Sequence, residues 1–484
     1  MYSKFDRRAF VKSLTGLGVA SVAGSSDLAH GTPSSPAGQR WTISARPLPA
    51  RGEFVVRRGY LLTMDERLGD ISDGDLHVRN GEILNVGKNL KAPGAAVLDG
   101  RDMIVMPGFV DTHWHMWTTY LRSMAGDKEE DGYFPLTTAY GRAMQPEDMY
   151  YGTRLAAAEA IYSGITTVND DCHNVRTHEH AEQDLRALVE TGLRATWSYG
   201  SYRGVPPGEL RNLASVERLH QNWPMYSNEG LLTLGYSWGG VPTGAAAMPL
   251  TVENAKKEIE TARRLGLPIS THLASREHTP PGQVKDQAPY LAKDMVLIHM
   301  LATTAEEMRI VAASGASIST SPGSELRIGY GLTKASDFMD AGINVCVSVD
   351  TAPLTGSCHM FGILKLLRNA ENAKALSEFK LSTRCALQMS TINGARALGI
   401  DNIVGSLSPG KRADFIMIQT NVITMGFFTD PTRVVIEAAE PSNVDTVVVD
   451  GRILKRGGKF TTLVPEQIIT DAVLTRDAVR KRLS

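Results

Sequence analysis

The chain has 484 residues, 42% of them apolar, with 51 Lys and Arg against 52 Asp and Glu and a formal net charge of −1. That length exceeds an average domain and suits a barrel with an accessory domain, while the balanced charge offers no basic field for nucleic acid and no acidic tail. The 4 cysteines, Cys172, Cys346, Cys358 and Cys385, lie far apart without a Cys-x-x-Cys, so neither a zinc knuckle nor a disulfide framework is indicated.

Residues 1–30 read as an address. Asp6-Arg7-Arg8-Ala9-Phe10-Val11-Lys12 precedes a mild apolar run from Leu14 to Ala23. This resembles a bacterial twin-arginine signal, in which an arginine pair, a Phe and a Lys stand before a weakly hydrophobic stretch. The run is too short and too rich in Gly and Ser to span a bilayer as an ordinary helix, so no stable membrane insertion is expected after export. The expectation is a periplasmic or secreted protein. Residues 31–50, rich in Pro, Ser, Gly and Ala, read as a linker.

Residues 51–106 show short strands and turns. Phe54-Val-Val, Tyr60-Leu-Leu-Thr-Met, Asp75-Leu-His-Val and Glu82-Ile-Leu-Asn-Val are separated by Arg-Gly, Asp-Gly and Asn80-Gly81, which is hairpin chemistry. A similar pattern returns over residues 405–484, from Gly405-Ser-Leu-Ser-Pro-Gly-Lys-Arg-Ala-Asp414 to Val444-Asp-Thr-Val-Val-Val-Asp-Gly451, followed by a C-terminal tail. The two ends are expected to pair into one small β-sandwich.

Residues 107–404 alternate strands with helical patterns. The first strand runs through Met106-Pro-Gly-Phe-Val-Asp-Thr-His113-Trp-His115. Side chains two apart on a strand share a face, so His113 and His115 point the same way and can chelate one cation such as Zn²⁺. Two solvent-facing strand histidines give the same pattern. Seven further strand candidates follow: Gly164–Asp170, Leu193–Trp197, Leu231–Tyr236, Leu267–His272, Met295–His299, Ala316–Thr320 and Asn344–Asp350. Helical stretches cover 151–162, 178–190, 252–265, 304–313 and 334–341, several ending in a Gly that reads as a C-cap. Eight β-then-α units predict an α/β fold, a (β/α)₈ TIM barrel whose site lies at the C-terminal strand ends. Those ends carry His113, His115, His272, His299 and Asp350.

With these residues in place the chain resembles the amidohydrolase superfamily, in its branch of cytosine-deaminase-like and chlorotriazine-hydrolase-like enzymes. The resemblance covers nearly everything after the linker. It is carried by Pro107-Gly-Phe-Val-Asp-Thr-His-Trp-His, Gly164-Ile-Thr-Thr-Val, Thr271-His272, His299, Ser321-Pro-Gly-Ser-Glu325, Ser348-Val-Asp350, Ile392-Asn-Gly-Ala-Arg-Ala-Leu-Gly and Gly405 to Asp414. It implies one divalent metal held by His113, His115, His272 and Asp350, with Asp350 also the catalytic base. His299 is implied to face the water or the substrate. Three imidazoles and a carboxylate suit zinc by ligand type, and iron fits the same set. The fourth strand holds no lysine to bridge two metals. The implied reaction is attack of metal-activated water on a C–N bond of a small, cyclic nitrogen compound, as an aminohydrolase or amidohydrolase, in a homo-oligomer. A non-catalytic exported metal or ligand binder on the same scaffold is the alternative.

One departure bears on the reaction. Deaminases of this branch carry Glu three residues after the strand-five His, and here that place is Ser275. If a helical turn followed His272, Glu277 would face away from the Ser275 direction and His278 would be the better stand-in; Thr279-Pro-Pro-Gly makes an irregular loop the alternative. Trp117, with Trp114, Tyr120 and Trp238, is placed to stack on a planar substrate, although packing is the commoner use of such residues. Asp170, Asp171 and His173 are read as loop-ordering groups, with a substrate contact as the alternative.

Overall fold

The computed structural model describes residues 47–203, 205, 209–227, 229–241, 250–276 and 282–483. The expected leader and most of the linker, together with Glu277 and His278, lie outside the described residues.

Strands from the two chain ends share one sheet. The first end supplies β1 (Glu53–Leu61), β2 (Ile71–Arg79), β3 (Glu82–Gly87), β4 (Ala96–Asp99) and β5 (Met103–Pro107). After one glycine the barrel follows, with β6 (Phe109–Trp114), β7 (Ile165–Val175), β8 (Arg194–Ser201), β9 (Leu232–Ser237), β10 (Ile269–Leu273), β11 (Met295–His299), β12 (Ser317–Thr320) and β13 (Val345–Val347). The second end returns as β14 (Phe415–Gln419), β15 (Val444–Val449), β16 (Arg452–Arg456) and β17 (Lys459–Phe460). The nine-stranded sheet runs β17-β16-β15-β14-β5-β1-β2-β3, with β4 beside β1. Its seam is the antiparallel pair of β14 with β5, from Phe415 opposite Pro107 to Gln419 opposite Met103. A bridge between Glu82 and Arg412 draws β3 back toward the segment before β14. Phe54, Val56, Leu76 and Val78 from one end pack with Phe415, Met417 and Val448 from the other. Neither end could bury this apolar surface alone.

The eight parallel strands follow in sequence order, β6 to β13. Every residue of β6, β7 and β8 is buried, as expected of parallel strands covered on both faces. Helices Pro146–Ser163 and His178–Thr191 end at Gly164 and Gly192, whose φ angles of 89° and 74° are the left-handed C-cap geometry that a side chain would strain. Each glycine turns the chain directly into the next strand, as the Gly-Ile and Gly-Leu pairs suggest. The barrel closes where Trp114 bridges to Asp350.

An ion cluster fastens the sheet to the barrel. The buried Arg194 at the start of β8 donates to Asp414 at 2.7 and 3.0 Å, and the Asp450 backbone N–H donates to Asp414 at 2.8 Å. The Gly405-to-Asp414 motif thus ends in a structural carboxylate. Loss of one partner would leave a buried charge uncompensated, at a cost of roughly 3–5 kcal/mol.

Residues 465–483, expected as a tail, form the helix Pro465–Leu483. It buries Ile468, Ala472, Thr475 and Val479, and its Arg482 pairs with Asp148 of helix Pro146–Ser163. Among the described residues no helix is long and apolar enough to cross a membrane.

Candidate metal centre

The C-terminal rim of the barrel is built by backbone bonds between the first and last strands. Asp111 on β6 is fully buried; it accepts the His113 N–H at 3.0 Å and the Val349 N–H at 3.2 Å. Beyond it the Asp350 N–H donates to the His113 carbonyl at 2.9 Å, and the His115 N–H donates to the Asp350 carbonyl at 2.7 Å. His299 and Asp350 have φ angles of 75° and 66°. Left-handed backbone at such residues costs on the order of 1–3 kcal/mol each and persists where the surroundings enforce it. Both strained residues lie among the site residues expected from the sequence.

Folding brings His113, His115 and His272 together, with ligand nitrogens all within 4.8 Å of one another. Their ring centroids are 4.4, 4.7 and 5.3 Å apart. Asp350 Oδ1 lies 3.3 Å from His113 Nε2 and 3.5 Å from His115 Nε2. Vertices of a tetrahedron with arms of about 2.0–2.1 Å stand about 3.3–3.4 Å apart, so these gaps match ligand-to-ligand edges around a small cation. Neither nitrogen of the buried His113 finds a well-aligned hydrogen-bond partner among the described residues. A cation would satisfy the one that faces Asp350. The donor set therefore fits a divalent metal.

The electrostatics favour the same species. Burial, then the neighbouring His113, pushes the His115 pKa well below the ordinary imidazole value, and burial with His113 and His299 does the same to His272. Both stay neutral with a lone pair to offer. Burial works against the charge of Asp350, but the close His113 and the field of His299 outweigh it and hold the carboxyl far below the usual range.

His299 stands at the edge of this group, its ring 5.5 Å from His272 and 6.2 Å from His113. Its Nδ1 is 3.0 Å from Oε1 of the fully buried Glu325. Glu325 is fixed in turn by the Ser321 N–H at 2.8 Å and the Thr320 hydroxyl at 3.0 Å. Burial opposes a proton on His299, yet the Glu325 hydrogen bond and the Asp350 charge raise its pKa. In the sequence Glu325 stands only as the end of the Ser321–Glu325 motif, five residues after the β12 end.

Asp171 and His173 do more than order a loop. Asp171 lies behind the histidine pair, Oδ2 3.6 Å from His113 Nδ1 and Oδ1 3.8 Å from His115 Nδ1. Its Oδ2 accepts from the Ser237 and Ser270 hydroxyls at 3.0 Å each. Its backbone carbonyl is 2.8 Å from His115 Nδ1, which assigns the proton there and leaves Nε2 as the donor. The His173 ring packs 3.9 Å from that of His115, with Nδ1 2.7 Å from His115 Nδ1 and 3.4 Å from the Trp117 indole N–H. His115, Asp171 and His173 also cluster within 4.8 Å. Because His115 Nδ1 already donates to a carbonyl, that cluster is a hydrogen-bonded support and not a second cation site. Trp117 is buried and packs against His173.

The loop after His272 is irregular in its described part. β10 ends at Leu273, Ala274 takes a φ of 45°, and residues 274–276 form no helical turn. The helical-rotation argument for His278 over Glu277 therefore does not apply, and both residues lie outside the described residues. Ser275 is half-buried just beyond the strand end.

Comparison with known proteins agrees with this geometry. A profile of the amidohydrolase family matches residues 104–454. The chain is 30% identical over 393 residues to a 5-methylthioadenosine/S-adenosylhomocysteine deaminase of Moorella thermoacetica, covering 77% of this chain and 86% of the relative. It is 27% identical over 441 residues to a 5′-deoxyadenosine deaminase of Methanosphaera stadtmanae, covering 87% and 95%. In fold it resembles an adenosine deaminase from Xanthomonas campestris with bound zinc, with a TM-score of 0.76 at 20% identity over 90% of this chain and 100% of that one. An atrazine chlorohydrolase from Arthrobacter aurescens complexed with zinc gives a TM-score of 0.73 at 20% identity over 87% and 99%.

Proposed function

The chain belongs to the amidohydrolase family and is a hydrolase of C–N bonds, and we propose that it is a zinc-dependent aminohydrolase of amino-substituted heterocycles, with adenine nucleosides the first class to test. The observation that carries this reading is the convergence of His113, His115, His272 and an ionised Asp350 beside the His299–Glu325 pair. The relatives named as nucleoside deaminases support the substrate class. Iron remains the second metal to assay.

When bound, a divalent cation supplies the charge that brings the pKa of a coordinated water toward neutrality. The protein's residues do the rest. Asp350 is the carboxylate at the Nε2 atoms of both His113 and His115, whereas Asp171 lies on their Nδ1 side, and Asp350 is held anionic, so it accepts the proton of the attacking water at its carboxyl. His299 is tied to Glu325 through Nδ1, which leaves Nε2 to orient the attacking oxygen. Ser275 cannot act as an acid near neutral pH. The proton taken by Asp350 is therefore the one returned to the leaving nitrogen, so that water adds to the ring carbon, the C–N bond breaks and ammonia departs. Buried Trp117 packs against His173 and so supports His115 from behind.

An exported binder without turnover would have no use for a polarised His299–Glu325 pair. Metal analysis and ammonia release from adenine nucleosides, cytosine and amino-triazines test the proposal. A zinc-loaded protein that released no ammonia from any of them would overturn it. The reading extends to the cell: residues 1–30 address a folded, metal-loaded enzyme to the periplasm, supported by the arginine pair and short apolar run. A homo-oligomer is supported by exposed Ile469 and Leu474, 57% and 64% accessible on the C-terminal helix, and light scattering tests it.

A further inference from the structure

We propose that Arg211 and Glu258, a buried ion pair beside β9, are positioning residues for the metal centre: they clamp the end of β9 so that Ser237 holds Asp171 behind His113 and His115. The inference rests on the metal reading of the site and is independent of which substrate is turned over.

β9 supplies none of the four metal-ligating side chains, yet its last residue reaches the centre. Asp171 Oδ2 accepts from the Ser237 hydroxyl at the end of β9 and from the Ser270 hydroxyl on β10, each at 3.0 Å. These two serines are register partners in a short seam. β9 pairs with β10 over two positions, Tyr236 with Ile269 and Ser237 with Ser270, and the Trp238 N–H then donates to the Ser270 carbonyl at 2.8 Å. The flanking ladders, β8 with β9 and β10 with β11, each run over five positions. His272 stands two residues beyond Ser270 on β10. Opening of this seam would draw Ser237 off Asp171 and move His272 away from the strand-one histidines.

Arg211 meets the seam from the connection between β8 and β9. The helix that follows it, Leu213–Gln221, fixes its backbone, with Asn212 as the N-cap accepting the Ser215 N–H at 3.0 Å. The Arg211 side chain is 3% exposed, and its Nη1 donates to the Ser237 carbonyl. Its Cζ lies 5.6 Å from the Tyr236 ring centroid, and its Nε lies 3.6 Å from Oε2 of the fully buried Glu258 on helix Val252–Arg264. The same helix accepts the Trp238 indole N–H at the Ala255 carbonyl, at 3.0 Å. Tyr236, Ser237 and Trp238, the residues of the short seam, are thus each held by Arg211 or by this helix. Gly239 leaves the guanidinium its space, since a Cβ there would lie 3.0 Å from Nη2. Burying two charges is an expensive way to fill a volume that apolar side chains fill as well. What the pair adds is direction: a rigid fork meets a carbonyl, a ring and a carboxylate at once, which an ammonium cannot do.

The test is the zinc affinity of the full-length protein, measured by chelator competition. Arg211→Met combined with Glu258→Leu removes both charges, so neither is left buried and unpaired. This double variant should bind zinc about tenfold more weakly, and Arg211→Lys about threefold, because the charge opposite Glu258 stays while the fork is lost. The visible absorption bands of the cobalt-loaded double variant should also shift, since the imidazoles of His113 and His115 turn when Asp171 moves. The Asp171→Asn background separates positioning from packing. There the same substitutions should cost less than about twofold, because their effect runs through Asp171. Thermal melting of the metal-free variants checks folding, and Arg211→Lys carries the comparison alone if the double variant does not fold. A folded variant with wild-type zinc affinity, or a loss of equal size with and without the Asp171 carboxylate, overturns the clamp. Both readouts are independent of ammonia release, so an enzyme that deaminates no nucleoside leaves the clamp standing.

Discussion

His115 and Asp350 hold each other twice: the His115 N–H donates to the Asp350 carbonyl at 2.7 Å, and the His115 Nε2 lies 3.5 Å from Asp350 Oδ1. The backbone contact closes the barrel and the side-chain contact builds the metal centre. Metal binding and barrel closure are therefore one event in space, and the consequences run in both directions.

The first concerns metal and stability. The protein should hold about one divalent ion per chain, and His113→Ala or His115→Ala should remove metal and turnover together. Stripping the metal should lower the melting temperature by the lost binding free energy. It should also expose a pH dependence. His115 and His272 are held below the ordinary imidazole value when folded, whereas in the unfolded chain they take up protons near pH 6.5. The unfolded state then binds more protons, so stability of the metal-free protein should fall as pH drops below about 6.5. Elemental analysis and melting scans across pH check both points; full turnover in a metal-free preparation would sink the assignment.

Asp350→Asn should cost roughly two to four orders of magnitude in kcat, because an amide cannot accept the proton. Asn is one of the few residues that adopts left-handed backbone readily, so the φ of 66° is tolerated and folding should survive. Circular dichroism alongside steady-state kinetics separates the two effects. A near-wild-type rate would mean that another group is the base.

Glu325→Gln removes the largest influence that raises the His299 pKa. Any limb of the pH–rate profile that reports His299 should move to lower pH. His299→Gln should lose that limb and most of the activity. An unmoved profile in a folded Glu325→Gln enzyme would show that the pair does not act in turnover.

Asp171→Asn should weaken metal affinity by roughly 10–100-fold while His113, His115 and His272 all remain, since the carboxylate backs the two strand-one imidazoles. Chelator competition measures this. Unchanged affinity would reduce Asp171 to a packing group held by Ser237 and Ser270.

A fusion of residues 1–30 to a reporter should cross the bacterial inner membrane, and Arg7→Lys with Arg8→Lys should block it. Export of the double-lysine form at the normal level would point to another route.

Local chemistry made much of this protein legible in its sequence. Alternation along a strand puts His113 and His115 on one face, glycines at 164 and 192 end helices and start strands, and turn residues at both ends mark hairpins. Ile468, Ala472, Thr475 and Val479 repeat at helical spacing, so the C-terminal helix is also legible in the sequence. Other features depend on the closed barrel. Asp171 meets His115 across 56 residues and Glu325 meets His299 across 26, contacts that no local periodicity encodes. The path after His272 turns on a left-handed Ala274, which residue type does not predict. Arg211 meets Ser237 and Glu258 because parallel strands bring distant connections together. Sequence determines which residues can share a strand face, because that geometry is set within a few bonds; only closure of the sheet decides which faces meet.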